Sequence, residues 1–213
     1  MCGICGVSGQ YHQTNLDMAV RALHHRGPDS NGVYYDPKVK IALGHTRLSI
    51  LDLSNLGRQP MISYDGSVVL VFNGEVYNFD LLRTQLKEKG YIFKGNSDTE
   101  VVLNMYLEYG INCLKEFNGI FGLAIYDFRS NDLFVARDAM GVKPVYYFSN
   151  DESFAFSSEI KSLLHLIPDE LELDHRSLQR YLTFLWCPGE GTPAKLIRKL
   201  LPGEYLHVRN GQI

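Results

Sequence analysis

The chain has 213 residues, of which 45% are hydrophobic and 21% charged, with a formal net charge of −3. These values suit one ordinary soluble domain, long enough for a real core. Basic and acidic residues are interspersed and no long apolar run occurs, so the composition argues against nucleic acid, an anionic membrane or a membrane span as the setting.

Taken in order, the chain opens MCGICGVSGQ, with no basic segment ahead of its first apolar residues. Residues 15–25 read as a helix, with Leu16, Ala19, Val20 and Leu23 on one face and Gly27-Pro28 stopping it. Residues 33–35, 41–51 and 68–72 read as strands. A helix over 79–89 follows, with Asn78 as N-cap and Gly90 as stop. Ser97-Asp98-Thr99-Glu100 has the form of a capping box opening a helix that ends at Gly110. From Phe121 the pattern changes to short strands (FGLAIYD, LFVARD, VYYF, SFAFSS) divided by turn clusters, followed by helices over 159–166 and 174–185. The predicted class is α+β with mainly antiparallel strands. Near the end, EYLHVR reads as a strand and Asn210-Gly211 as a hairpin turn, yet only two residues follow. A hairpin needs a returning strand, so the chain is expected to continue into something longer.

Four cysteines, Cys2, Cys5, Cys113 and Cys187, are too few and scattered for a disulfide framework, and a cytoplasmic setting is expected. Cys2 and Cys5 form a C-x-x-C, but no second ligand pair completes a zinc site. A thioredoxin-like pair would have to follow a strand, which position 2 excludes. Cys5, Cys113 and Cys187 are expected to be small buried apolar residues. Cys2 differs. Removal of the initiator Met would leave a residue carrying both a thiol and an α-amine, whose ordinary pKa values lie near 8.5 and 7.7–8.0. The amine can then take the thiol proton and later return one to a leaving group. The alternative, a small residue starting an edge strand, is equally compatible with these ten residues.

Six further segments decide between them: HRGPDS (25–30), GHTRLSILD (44–52), FNGEVYN (72–78), NSDTE (96–100), RDAMGVKPVYY (137–147) and FSSEIKSLL (156–164). Together with CGICG they resemble, in order and spacing over residues 2–208, the glutaminase domain of glutamine-hydrolysing asparagine synthetases. That domain is a class II glutamine amidotransferase of the amino-terminal nucleophile (Ntn) hydrolase fold. The resemblance implies a four-layer αββα sandwich with two mainly antiparallel sheets, hydrolysis of L-glutamine at Cys2, and an oxyanion hole at Asn73 and Gly74. It also implies Arg47 as the clamp for the glutamine α-carboxylate, pocket backbone at Ile50 and Leu51, and Asp98 with Glu75 receiving the α-ammonium. Each has a plainer reading: Asn-Gly is a common hairpin turn, Arg47 a strand residue facing solvent, and Asp98 a favourable first-turn carboxylate. His24, His25 and His45 are not expected to form a Cys-His dyad, since the amine already supplies the base. The RGPD segment is expected to be a rigid turn near the site, with Arg26 anchoring it by ion pairing.

No pyrophosphate loop, P-loop or dinucleotide fingerprint occurs, so no cofactor is expected in this chain. ATP and Mg are expected only in a C-terminal synthetase domain, to which residues 209–213 would lead. Expected partners are L-glutamine, that domain in cis, and a second copy as a homodimer. The ammonia formed would supply asparagine synthesis from aspartate and ATP. Alternatives are the same chemistry feeding another acceptor, such as a sugar or a secondary metabolite, and a non-catalytic glutamine-binding module.

Overall fold

A computed structural model describes residues 1–10, 12–50, 52–167 and 171–213. Two antiparallel sheets lie face to face. The first contains β1 (Gly3–Gly9), β2 (Ser30–Asp36), β3 (Ile41–Arg47), β8 (Tyr146–Ser149), β9 (Ser153–Ser157) and β10 (Arg198–Lys199), in the order β10-β8-β9-β1-β3-β2. The second runs β11-β7-β6-β5-β4, from β4 (Met61–Ile62), β5 (Val68–Val76), β6 (Gly119–Asp127), β7 (Asp132–Arg137) and β11 (Tyr205–Arg209).

The period-two alternation of strand side chains assigns each face. From β5, Val69 and Val71 enter the layer between the sheets, where they pack with Ile4 of β1, Leu43 of β3 and Phe156 of β9. Val68, Leu70 and Phe72 point the other way, onto α2 (Phe79–Glu88) and α3 (Asp98–Tyr109). On the far side of the first sheet, Cys5, Val7 and Ala42 pack against α1 (Gln13–Ala22) and Leu163 of α4 (Ile160–Leu163). The layers therefore read αββα. Burial on both faces explains why β5 opens as the continuous apolar run 68–72 rather than an alternating one. A fifth helix, α5 (His175–Phe184), is N-capped by Asp174 and leaves Leu182, Phe184, Leu185 and Trp186 exposed at its end. Among the described residues no helix is long and apolar enough to cross a membrane.

Several expectations need correction. The strand read as 41–51 ends at Arg47, where the backbone leaves the sheet into a loop. The strand read as 68–72 continues to Val76, so Asn73-Gly74 is not a hairpin turn but strand interior, paired with Gly122 and Phe121 of β6. Asn78 occupies the N-cap of α2 without capping it; its side chain instead bonds the Glu116 carbonyl and the Asn118 N–H. The capping box is half formed. Ser97 accepts from Glu100 N–H, while the Glu100 carboxylate turns to the Lys94 and Gly95 amides. The helix read as 159–166 is regular only over Ile160–Leu163. The terminal strand is paired: β11 forms an antiparallel ladder with β7 and is exposed on one edge only. Asn210 and Gly211 do form a tight turn, both with positive φ, closed by a bridge between Arg209 and Gln212. Cys5 and Cys113 are fully buried, and burial pushes each thiol up to about 12.

Candidate active site

The edge of β5 is where the site begins. β4 is two residues long and pairs only with Val69 and Leu70. Beyond it the outward-pointing backbone groups of β5 must find other partners. In an antiparallel strand these belong to alternate residues. Ser63 serves Val68, and the Phe72 N–H donates to the Gln59 side-chain carbonyl at 2.6 Å. The Phe72 carbonyl accepts from His45 Nε2 at 3.2 Å. The Val76 N–H donates to the Asp98 carboxylate at 3.1 Å. Gly74 has the same parity, so its N–H faces the gap between these partners. There a cavity of about 320 Å³ opens, within the range of small-molecule sites.

Cys2, just ahead of β1, lines the same cavity. The Leu48 N–H lies 3.4 Å from its sulfur, and Arg26 Nε donates to its carbonyl oxygen at 2.9 Å. Arg26 continues to Glu159 at 3.0 Å, which His25 also contacts at 2.8 Å. The nucleophile candidate is thus braced through its backbone, and the expected ion-pair anchor for Arg26 is present. The RGPD turn packs on the end of β3: Asp29 N–H donates to the Arg47 carbonyl, and the Asp29 carboxylate accepts the Ser49 N–H. Burial pushes the Cys2 thiol up, outweighing the Leu48 N–H and the positive charges of the chain terminus and Arg47. At neutral pH it is therefore a thiol, which needs a base to become a nucleophile.

Arg47 leaves the end of β3 and is buried. Its guanidinium donates to the carbonyls of Ser54, at 2.9 Å, and Asp52. No carboxylate among the described residues forms an ion pair with it. A Cβ on Gly57 would overlap the guanidinium, so the loop can wrap it only with glycine there. Asp98 has the opposite sign and the same isolation. It is buried in the first turn of α3 and has no cationic partner among the described residues. Desolvation, aided by the nearby Glu75 charge, raises its pKa to about 6 despite the Val76 and Thr99 N–H groups. In the same cavity, Asn73 is 1% exposed and its Nδ2 has no hydrogen-bond partner among the described residues. Leaving such a donor unpaired costs about 1–3 kcal/mol.

Of the residues singled out from sequence, Cys2, Arg47, Ile50, Asn73, Gly74, Glu75 and Asp98 line this one cavity. Leu51 lies outside the described residues. Sequence reasoning missed Leu48, Asp52, Gln59 and Lys143, which also line it. Gln59 carries no local signal, because its role is to replace a missing strand. Lys143 comes from the RDAMGVKP segment, folded around the fully buried Asp138, whose carboxylate accepts the amides of Phe121, Met140, Val142 and Lys143. His45 is fully enclosed and, with its pKa pushed down to about 3 chiefly by burial, is neutral. It is no base for Cys2.

Two antiparallel sheets between helical layers, with Cys2 at the head of a central strand, define the Ntn-hydrolase fold. The structure of the glutamine phosphoribosylpyrophosphate amidotransferase from B. subtilis, complexed with ADP and GMP, superposes with a TM-score of 0.66 at 22% identity, covering 78% of this chain and 44% of that one. All 213 residues match the family model of a glutamine amidotransferase domain, and the chain belongs to that family of enzyme domains. It is 35% identical over 216 residues to asparagine synthetase (glutamine-hydrolyzing) 1 of Bacillus subtilis, covering 98% of this chain and 34% of that protein. It is also 35% identical over 197 residues to the amidase chry2 of Gibberella zeae, covering 92% of this chain and 28% of that one. The chain thus spans about a third of the length of the curated relatives it matches.

Proposed function

We propose that this domain hydrolyses L-glutamine to glutamate and ammonia through a γ-glutamyl thioester on Cys2. The observation that carries this reading is the arrangement of unmet needs in one cavity. Among the described residues, a buried cation without a carboxylate (Arg47) and a buried carboxylate without a cation (Asp98) share the space with an unpaired donor (Asn73 Nδ2) and a thiol. An α-amino acid with a γ-carboxamide answers each of them. Its α-carboxylate suits the Arg47 fork, its α-ammonium suits Asp98 and Glu75, and the amide reaches toward Cys2.

Once Met1 is removed, the Cys2 α-amine takes the thiol proton as Sγ attacks the γ-carbonyl carbon. The developing oxyanion is met by Asn73 Nδ2 and the Gly74 N–H, a kind of contact each worth about 10²–10³ in rate. The amine returns its proton to the leaving nitrogen, ammonia departs, and water, deprotonated by the same amine, cleaves the thioester to give glutamate. The structural alternative, a binding module, would not need an unpaired donor beside the thiol. Cys2→Ala tests the reading: glutaminase activity should vanish with melting temperature within a few degrees of the parent, whereas retained turnover would refute it.

In the longer protein that residues 209–213 would join, the ammonia is proposed to pass to an ATP- and Mg-dependent synthetase domain and yield asparagine from aspartate. The exposed apolar end of α5 supports a covering partner, whether that domain or a second copy. Similarity to the amidase chry2 favours keeping a second reading, the same glutaminase chemistry feeding a different acceptor.

A further inference from the structure

The edge of β5 beside the cavity is held by side chains where a strand would otherwise stand. At Phe72 the N–H is held by Gln59 and the carbonyl by His45. That carbonyl belongs to the peptide joining Phe72 to Asn73. Its orientation therefore fixes the plane from which the Asn73 side chain departs, and one step further the direction of the Gly74 N–H. His45 reaches it from β3, across the layer between the sheets, and ties the first sheet directly to this peptide.

We propose that His45 is a positioning residue for the oxyanion hole, locking the Phe72–Asn73 peptide so that Asn73 and Gly74 keep their donors aimed at the reacting carbonyl. The assignment rests on the reading of Asn73 and Gly74 given above. The chemistry of the bond fixes the tautomer. A carbonyl only accepts, so Nε2 carries the hydrogen and Nδ1 the lone pair. Nδ1 is buried and has no partner among the described residues, so the ring brings an unsatisfied acceptor into the interior. Set against the one bond the ring makes, that cost leaves little net stability over a phenylalanine, which would fill the volume but leave the Phe72 carbonyl unpaired. What phenylalanine cannot supply is the N–H on the Phe72 carbonyl. His45 also sits two residues before Arg47 on the same strand, so the strand that presents the candidate carboxylate clamp aligns the oxyanion donors as well.

Glutamine kinetics on the processed protein, with His45→Phe, His45→Leu, His45→Gln and Asn73→Ala, test this. His45→Phe and His45→Leu should lower kcat about 10–100-fold with KM within about twofold, since the misaligned donors act on the transition state. His45→Gln, whose Nε2 can donate to the same carbonyl, should recover to within about fivefold of the parent. Its kcat should keep the parent's dependence on pH, because the ring it replaces does not titrate in the working range. Unchanged kcat per folded molecule in both His45→Phe and His45→Leu, with Asn73→Ala impaired, would overturn the role of His45 alone. Asn73→Ala with unchanged kcat would overturn the oxyanion reading beneath it. Loss of a pH limb in His45→Gln would replace positioning by proton transfer and also overturn the proposal.

Discussion

The Asp98 carboxylate accepts the Val76 N–H at 3.1 Å, tying the first turn of α3 to the end of the strand that carries Asn73 and Gly74. One bond thereby sets the distance between the proposed ammonium site and the proposed oxyanion hole. The carboxylate has no counter-ion among the described residues, and burial raises its pKa to about 6 even though the Val76 N–H opposes the rise.

Glutamine binding should depend on pH accordingly. Above about pH 6 Asp98 is charged and can pair with the substrate ammonium; below it the pair is lost. KM for glutamine should rise about tenfold per unit as pH falls below 6, and Asp98→Asn should raise KM and flatten that rise. Steady-state kinetics between pH 5 and 8 measure both.

The same group should cost the free protein stability. Its pKa in the fold lies above its ordinary value near 3.9, so the native state binds the extra proton and stability falls as pH rises from about 4 to 6. Asp98→Asn, which keeps an acceptor for Val76, should therefore stabilise the unliganded domain by about 1–2 kcal/mol above pH 6 and by little below pH 4. Thermal melts at the two pH values check this. Equal effects at both would show that burial does not penalise the charge.

Gly57→Ala should act on binding through Arg47. The added methyl collides with the end of a side chain rather than with backbone, so the guanidinium gives way and its bonds to the Ser54 and Asp52 carbonyls weaken while the chain path is kept. KM should rise about tenfold or more with kcat retained, and melting temperature should shift by only a few degrees. Unchanged KM would mean that Arg47 does not meet the substrate.

Arg26→Lys keeps a charge near Glu159 but loses the fork that also holds the Cys2 carbonyl. The expected result is a kcat about 10-fold or more below the parent with KM little changed. Turnover equal to the parent would show that Cys2 needs no such brace.

Much of this was legible in the chain because chemistry and packing coincide in a few segments. Cys2, Arg47, Asn73 and Asp98 stand in recognisable company, and the structure gathers them in one cavity. The helical stripe Leu16, Ala19, Val20 and the run 68–72 report burial directly. What stayed hidden depends on tertiary context. Asn73-Gly74 has the composition of a hairpin turn, and only pairing with β6 makes it strand; a Cβ at Gly74 would overlap the Ile120 carbonyl and Phe121. Gln59 and His45 serve an edge that exists only once β4 has stopped short, and nothing near them in sequence says so. The Asp138 scaffold that delivers Lys143 is likewise built from contacts with β6, seventeen residues earlier at Phe121.

Cys2, as the processed amino-terminal residue, is proposed to be the nucleophile on which the whole reaction turns. Mass spectrometry of the protein quenched in acid during glutamine turnover, with peptide mapping, tests it most directly. The expected result is a chain lacking Met1 and a γ-glutamyl adduct on the Cys2 peptide, absent in Cys2→Ala. A fully active preparation that retains Met1, or an adduct mapped to Cys5, Cys113 or Cys187, would contradict it.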